Sequence, residues 1–184
     1  MKTRPVEPTR LDVEAFAKDG GSLEGQWPLA SLERLIETVH PDALPTEEDV
    51  ATWSAQGESR PVRGGPPQVW LHVKAAAQVS LVCQRCLGPV REQLETNRSF
   101  LFVPGEDAAA QLDADSEDDV LALTRSLDLR ELVEDELLLA LPIVPRHDEC
   151  PQPLPMPEAD ELEEEPAPSP FAALAALKRG GPPN

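Results

Sequence analysis

An α+β domain, an antiparallel β-sheet with packed helices, is predicted by three features of the sequence. These are a long period-two alternation beginning at Val69, a second one ending at Phe102, and a capped stripe of helical period from Leu129. The first run sets Val69, Leu71, Val73, Ala75, Ala77, Val79, Leu81 and Cys83 on one parity, opposed mostly by Trp70, His72, Lys74, Gln78 and Ser80. That is the pattern of a strand with one face buried. The second, over residues 90–102, sets Val90, Leu94, Thr96, Phe100 and Phe102 against Arg91, Gln93, Glu95 and Asn97. The two pair as a hairpin whose tip is Cys83-Gln84-Arg85-Cys86-Leu87-Gly88-Pro89.

Taken in chain order, residues 1–26 contain Gly20, Gly21 and Gly25, and only Leu11, Val13 and Phe16 mark a short core-facing segment of open type. Pro28 followed by Leu29, Leu32, Leu35, Ile36 and Val39 predicts a helix over 28–39, ending at Pro41. Residues 41–68 are rich in Pro, Gly, Ser and acid and read mostly as loop, with Val50 and Trp53 as anchors and room for a hidden strand. After the hairpin, residues 104–119 read as a solvated acidic loop. Asp128 with Glu131 makes a capping box for a helix over 129–140, whose stripe is Leu129, Leu132, Val133, Leu137, Ala140 and Leu141. Glu131, Glu134, Asp135 and Glu136 crowd that helix near its start, where the helix dipole favours negative charge. Proline then alternates with acid from Pro151 to Pro170, a disordered acidic linker. Phe171, Leu174 and Leu177 follow as a short amphipathic docking segment that needs a surface to fold on. The expected organisation is a domain over 1–150 and a flexible tail over 151–184.

Charge narrows the function. The 184 residues carry 34 Asp and Glu against 16 Lys and Arg, a net −18. The excess is uneven, with 11 basic and 14 acidic groups in residues 1–100 and 5 and 20 in the remainder. Such a surface excludes broad attraction to DNA, to an RNA backbone or to anionic membrane, and suits a basic partner. A local RNA contact stays open through Lys74, Arg85, Arg91 and Arg98 around the hairpin, with Trp70 and His72 beside them to stack a base. The bland alternative is a solvated sheet face. No run of about 18 apolar residues occurs, and Met1 to Glu7 lacks the apolar core of a signal peptide, so a cytoplasmic protein is expected. Three cysteines, an odd number, fit a reducing compartment better than a disulfide framework.

Cys83 and Cys86 form a C-x-x-C unit at the hairpin tip, and His147 and Cys150 form a second donor pair beyond the helix. Together they have the composition of a closed structural zinc site, which would tie the tip to the segment after the helix. Two other readings stay open. Cys83 is also the last inward-facing residue of its strand, with Cys86 in a turn and Cys150 in a tail, and a C-x-x-C can serve a thiol redox protein. The redox reading is weakened because such sites place the pair at a helix N-terminus, not on a hairpin followed by Gly88-Pro89. The abundant carboxylates come with no phosphate loop and no hydrolase or kinase motif, so no catalytic residue is assigned.

Several blocks resemble the YceD family, the large ribosomal RNA subunit accumulation proteins. They are Cys83-Gln84-Arg85-Cys86-Leu87, the Phe100 strand, Asp128 through His147, Cys150, and Pro170 through Lys178. The resemblance implies a non-catalytic factor supporting synthesis, processing or stability of 23S ribosomal RNA during biogenesis of the large subunit. It carries motif positions to Cys83 and Cys86, to Glu134, Asp135 and Glu136, and to His147 with Cys150. Its implied partner is a ribosomal protein or a large-subunit assembly intermediate. Arg85, Glu134, Asp135, Glu136, Phe171, Leu174 and Leu177 are the candidate partner-binding residues.

Overall fold

Strands β1 (Ser22–Pro28), β2 (Val50–Arg60), β3 (Gln68–Val82) and β4 (Pro89–Val103) follow one another as an antiparallel meander, and β5 (Asp119–Ala122) adds to β4 in parallel. The computed structural model describes residues 6–151. Helices α1 (Val13–Lys18) and α2 (Glu33–Ile36) flank β1, α3 (Glu106–Asp115) links β4 to β5, and α4 (Leu129–Leu139) follows the sheet. The fold is therefore mixed: mainly antiparallel, closed by one parallel pair.

The predicted hairpin forms with the expected parity. Leu71, Val73, Ala75, Ala77, Val79, Leu81 and Cys83 are all buried on one face of β3, opposite Phe100, Leu94 and Val90 of β4. α1 packs on β2 and β3, and α4 on β3 and β4. The stripe Leu129, Val133 and Leu137 is fully buried there. Asp128 caps α4 as expected, accepting from the N–H groups of Arg130 (2.9 Å) and Glu131 (3.2 Å).

Four local expectations are corrected. The helix expected over 28–39 is only a 3₁₀ turn at Leu29–Ser31 and one turn of α2. Leu29, Leu32, Leu35 and Val39 are buried as the spacing implied, but the chain must re-extend so that Val39 bridges Leu81 and the His40 N–H reaches the Ser80 carbonyl at 2.7 Å. The stretch read as loop over 41–68 holds the eleven-residue strand β2, so a strand does lie hidden there. Its inward residues Ala51, Trp53, Ala55 and Gly57 are mostly small, and at Gly57 α1 lies close. A Cβ on Gly57 would sit 2.8 Å from the Ala17 Cα. The acidic stretch over 104–119 contains α3, the crossover that a parallel β4–β5 pair requires. Finally, Trp70 does not lie on a solvated face. It is buried with Leu101, Ala109 and Val120 in a small second core, with the Arg60 guanidinium 4.4 Å from its ring centroid.

No helix among the described residues is long and apolar enough to cross a membrane. The acidic linker and the docking segment with Phe171, Leu174 and Leu177 lie outside the described residues.

Candidate metal centre

The tip of the β3–β4 hairpin is a short closed loop. The Cys83 N–H donates to the Gly88 carbonyl and the Leu87 N–H to the Cys83 carbonyl, both at 2.9 Å. Closing it this tightly puts Leu87 at φ 61°, a left-handed conformation that costs a non-glycine residue about 1–2 kcal/mol. The parity of β3 turns Cys83 inward, where it is fully buried, and the turn brings Cys86 back beside it.

The second pair arrives from α4. The helix ends at Leu139 ahead of Pro142, and the chain returns along the hairpin tip, where the Pro145 carbonyl accepts from the Gln84 N–H at 2.9 Å. His147 then lies with Nδ1 3.5 Å from Cys86 Sγ, while its Nε2–H donates to the Pro89 carbonyl at 3.0 Å. That hydrogen bond sets the tautomer and leaves Nδ1 as the free donor atom. Cys150 Sγ lies 3.9 Å from Cys83 Sγ, and all four donor atoms are within 4.8 Å of one another. Tetrahedral zinc, with bonds of about 2.3 Å to sulfur and about 2.0 Å to nitrogen, sets S···S near ~3.8 Å and S···N near ~3.5 Å. These Cys83–Cys150 and Cys86–His147 separations match that geometry, and the thiols are free.

The electrostatics are unequal. Burial opposes ionisation of Cys83, but the N–H groups of Cys86, Arg85 and His147 and the His147 side chain point at its sulfur and lower its pKa to about 5. Burial, hydrogen bonds to Cys86 and Cys83, and their negative charge push Cys150 up to about 11. One thiolate is thus prepared, and the next is resisted by the charge of the first. A divalent cation held among them would remove that resistance. Neither cysteine of the C-x-x-C starts a helix.

The remaining predicted residues fall in different places. Arg85 is exposed at the tip. Glu134 is 7% exposed and turned into the fold, where it accepts from the backbone N–H groups of Arg34 (2.7 Å) and Leu35 (3.1 Å) and from the Arg34 guanidinium. Asp135 pairs with the same guanidinium. The Asp135 hydrogen bond is the largest influence and raises the Arg34 pKa; burial, next in size, opposes it, and the Glu134 hydrogen bond adds to the rise. Glu136, 6% exposed, accepts from Thr96 Oγ1 at 3.2 Å and faces Arg98 Nε at 3.4 Å. The acid triplet therefore ties α4 to α2 and β4. Arg98 is spent in the same way, between Glu136 and Asp119.

One residue beside the loop goes unmarked by the sequence patterns. His40 is buried, and its Nε2 lies 3.0 Å from the Leu87 carbonyl of the cysteine loop. The only signal was an apolar-flanked histidine before a proline, which carries no information about a contact 47 residues away.

The family described as large ribosomal RNA subunit accumulation protein YceD matches over residues 71–178, which includes most of the hairpin, α4 and all four candidate donors. A relative from Haemophilus influenzae with the same description is 33% identical over 159 residues, covering 84% of this chain and 86% of the relative. No solved structure matches the chain.

Proposed function

The chain belongs to the YceD family, and from that premise we propose that it is a non-catalytic cytoplasmic factor supporting synthesis, processing or stability of 23S ribosomal RNA in biogenesis of the large ribosomal subunit. The observation that carries this is the match over residues 71–178, which spans the elements that build the candidate centre. At a net charge of −18 the partner is best a basic component, a ribosomal protein or a protein-bearing assembly intermediate, reached by salt-sensitive association. Direct capture of RNA is less favoured: Trp70 is covered and Arg98 is paired, which leaves Lys74, Arg85 and Arg91 of the strip around the hairpin.

In this reading Cys83, Cys86, His147 and Cys150 hold one structural zinc. Bound there, the ion supplies a crosslink between the hairpin tip and the segment after α4 and presents no open coordination position for chemistry. The donor distances of 3.5 and 3.9 Å and the orientation of His147 by Pro89 support this assignment.

The test of the biological role is depletion of the protein in its own host. The ratio of 23S to 16S ribosomal RNA should fall and be restored by the wild-type chain, and an unchanged ratio would reject the reading. Elemental analysis of the purified protein tests the metal independently, with one zinc per chain expected.

A further inference from the structure

Two imidazoles hold the backbone of the cysteine loop. His147 reaches the Pro89 carbonyl and is itself one of the four donors. His40 reaches the Leu87 carbonyl from the other side of the sequence and is not a donor. Both of its ring nitrogens have a partner. The Asp42 N–H donates to Nδ1 at 3.1 Å, so Nδ1 must be bare and Nε2 must carry the proton that faces Leu87. The His40 main chain is fastened to the Ser80 carbonyl on β3 at 2.7 Å, three residues before Cys83.

Leu87 is the residue of this loop least able to hold its conformation unaided, because it is a branched side chain at φ 61°. Its N–H is already tied to the Cys83 carbonyl, and its own carbonyl is tied to His40. Between those two bonds the chain has no freedom to unwind, and Cys86 immediately precedes it. We propose that His40 is the positioning residue of the metal loop: it locks the Leu87 carbonyl and so keeps Cys83 and Cys86 at chelating separation. The inference rests on the zinc reading given above. It adds a residue from outside the C-x-x-C and H-x-x-C motifs to the determinants of metal retention.

The experiment is zinc transfer from the full chain, loaded with one equivalent of zinc, to a chromophoric chelator in stopped flow. His40→Leu, which keeps bulk but donates nothing, should release zinc about 10- to 100-fold faster than wild type, the usual effect of losing a partner outside the coordination sphere. His40→Gln restores an N–H donor and should return most of the retention. Asp12→Ala, which removes the cap on the Ala15 N–H in α1, is the control for a general loss of stability and should release at the wild-type rate. A wild-type rate in folded His40→Leu, or equal acceleration in Asp12→Ala, overturns the inference. Wild-type protein that retains no zinc instead strikes the metal reading itself. Should His40→Leu not fold, nitrogen NMR of the wild-type ring decides. Protonation at Nε2 with a bare Nδ1 supports the role, and protonation at Nδ1 overturns it.

Discussion

Glu134 receives Arg34 through three hydrogen bonds, one from the backbone N–H and two from the guanidinium, across a separation of 100 residues. A single carboxylate thereby closes the first turn of α2 and fixes it on α4. Its carboxylate also accepts from the N–H of Leu35, which is fully buried, so its removal leaves a backbone donor without a partner inside the fold. Glu134→Ala should cost about 2–3 kcal/mol in denaturant unfolding. Asp135→Ala, at the exposed end of the same pair, should cost under about 1 kcal/mol. Equal effects from the two variants would contradict this division.

Metal removal should be felt as lost stability. Zinc bound only by the folded chain, at a free concentration near 1,000 times its Kd, contributes about 4 kcal/mol. For a domain of this size that corresponds to a fall of about 10 °C in Tm on chelation. Differential scanning calorimetry with and without chelator measures it. Cys150→Ser should show the lower Tm in both conditions, with no response to chelator.

α1 requires the bare backbone of Gly57. A Cβ there would lie 2.8 Å from both the Ala17 Cα and the Phe16 ring, and the first of these is backbone that cannot swing aside. Gly57→Ala should destabilise by about 1–3 kcal/mol through overpacking, read from chemical denaturation. Ser54→Ala on the same strand, facing the other way, should be close to neutral.

Glu58 makes the clearest acid-side signature. Its hydrogen bond from Arg60, and then that from His72, depress its pKa from 4.5 to about 2. Because the folded value lies below the unfolded one, the contribution to stability is complete above pH 4.5 and is lost as pH falls from there toward about 2. The stability difference between wild type and Glu58→Gln should therefore be flat above that window and shrink through it. A carbon NMR titration that finds the Glu58 carboxyl at an ordinary value would refute the depression.

The β3–β4 hairpin, its cysteine tip and α4 were legible in the chain because each is signalled by neighbours. Alternation over Val69–Cys83 sets a buried face, and Asp128 caps the helix that starts one residue later. β2 was hidden for a physical reason: its buried positions include Ala51, Ala55 and Gly57, the last bare where α1 approaches, and small residues blur a strand's hydrophobic signal. α3 was hidden because a helix of acids and alanines buries only Ala109.

The same distinction runs through the candidate centre. Residue types and spacing alone named Cys83, Cys86, His147 and Cys150 as candidate donors and placed the first two on a hairpin. Only the tertiary structure decided that the segment after α4 turns back to that tip, that His40 grips Leu87 from 47 residues away, and that Glu134 and Glu136 face inward. Local patterns specify turns, caps and faces through contacts a few residues apart. Contacts across 40–100 residues depend on how whole faces bury against one another, and no short stretch of sequence contains that information.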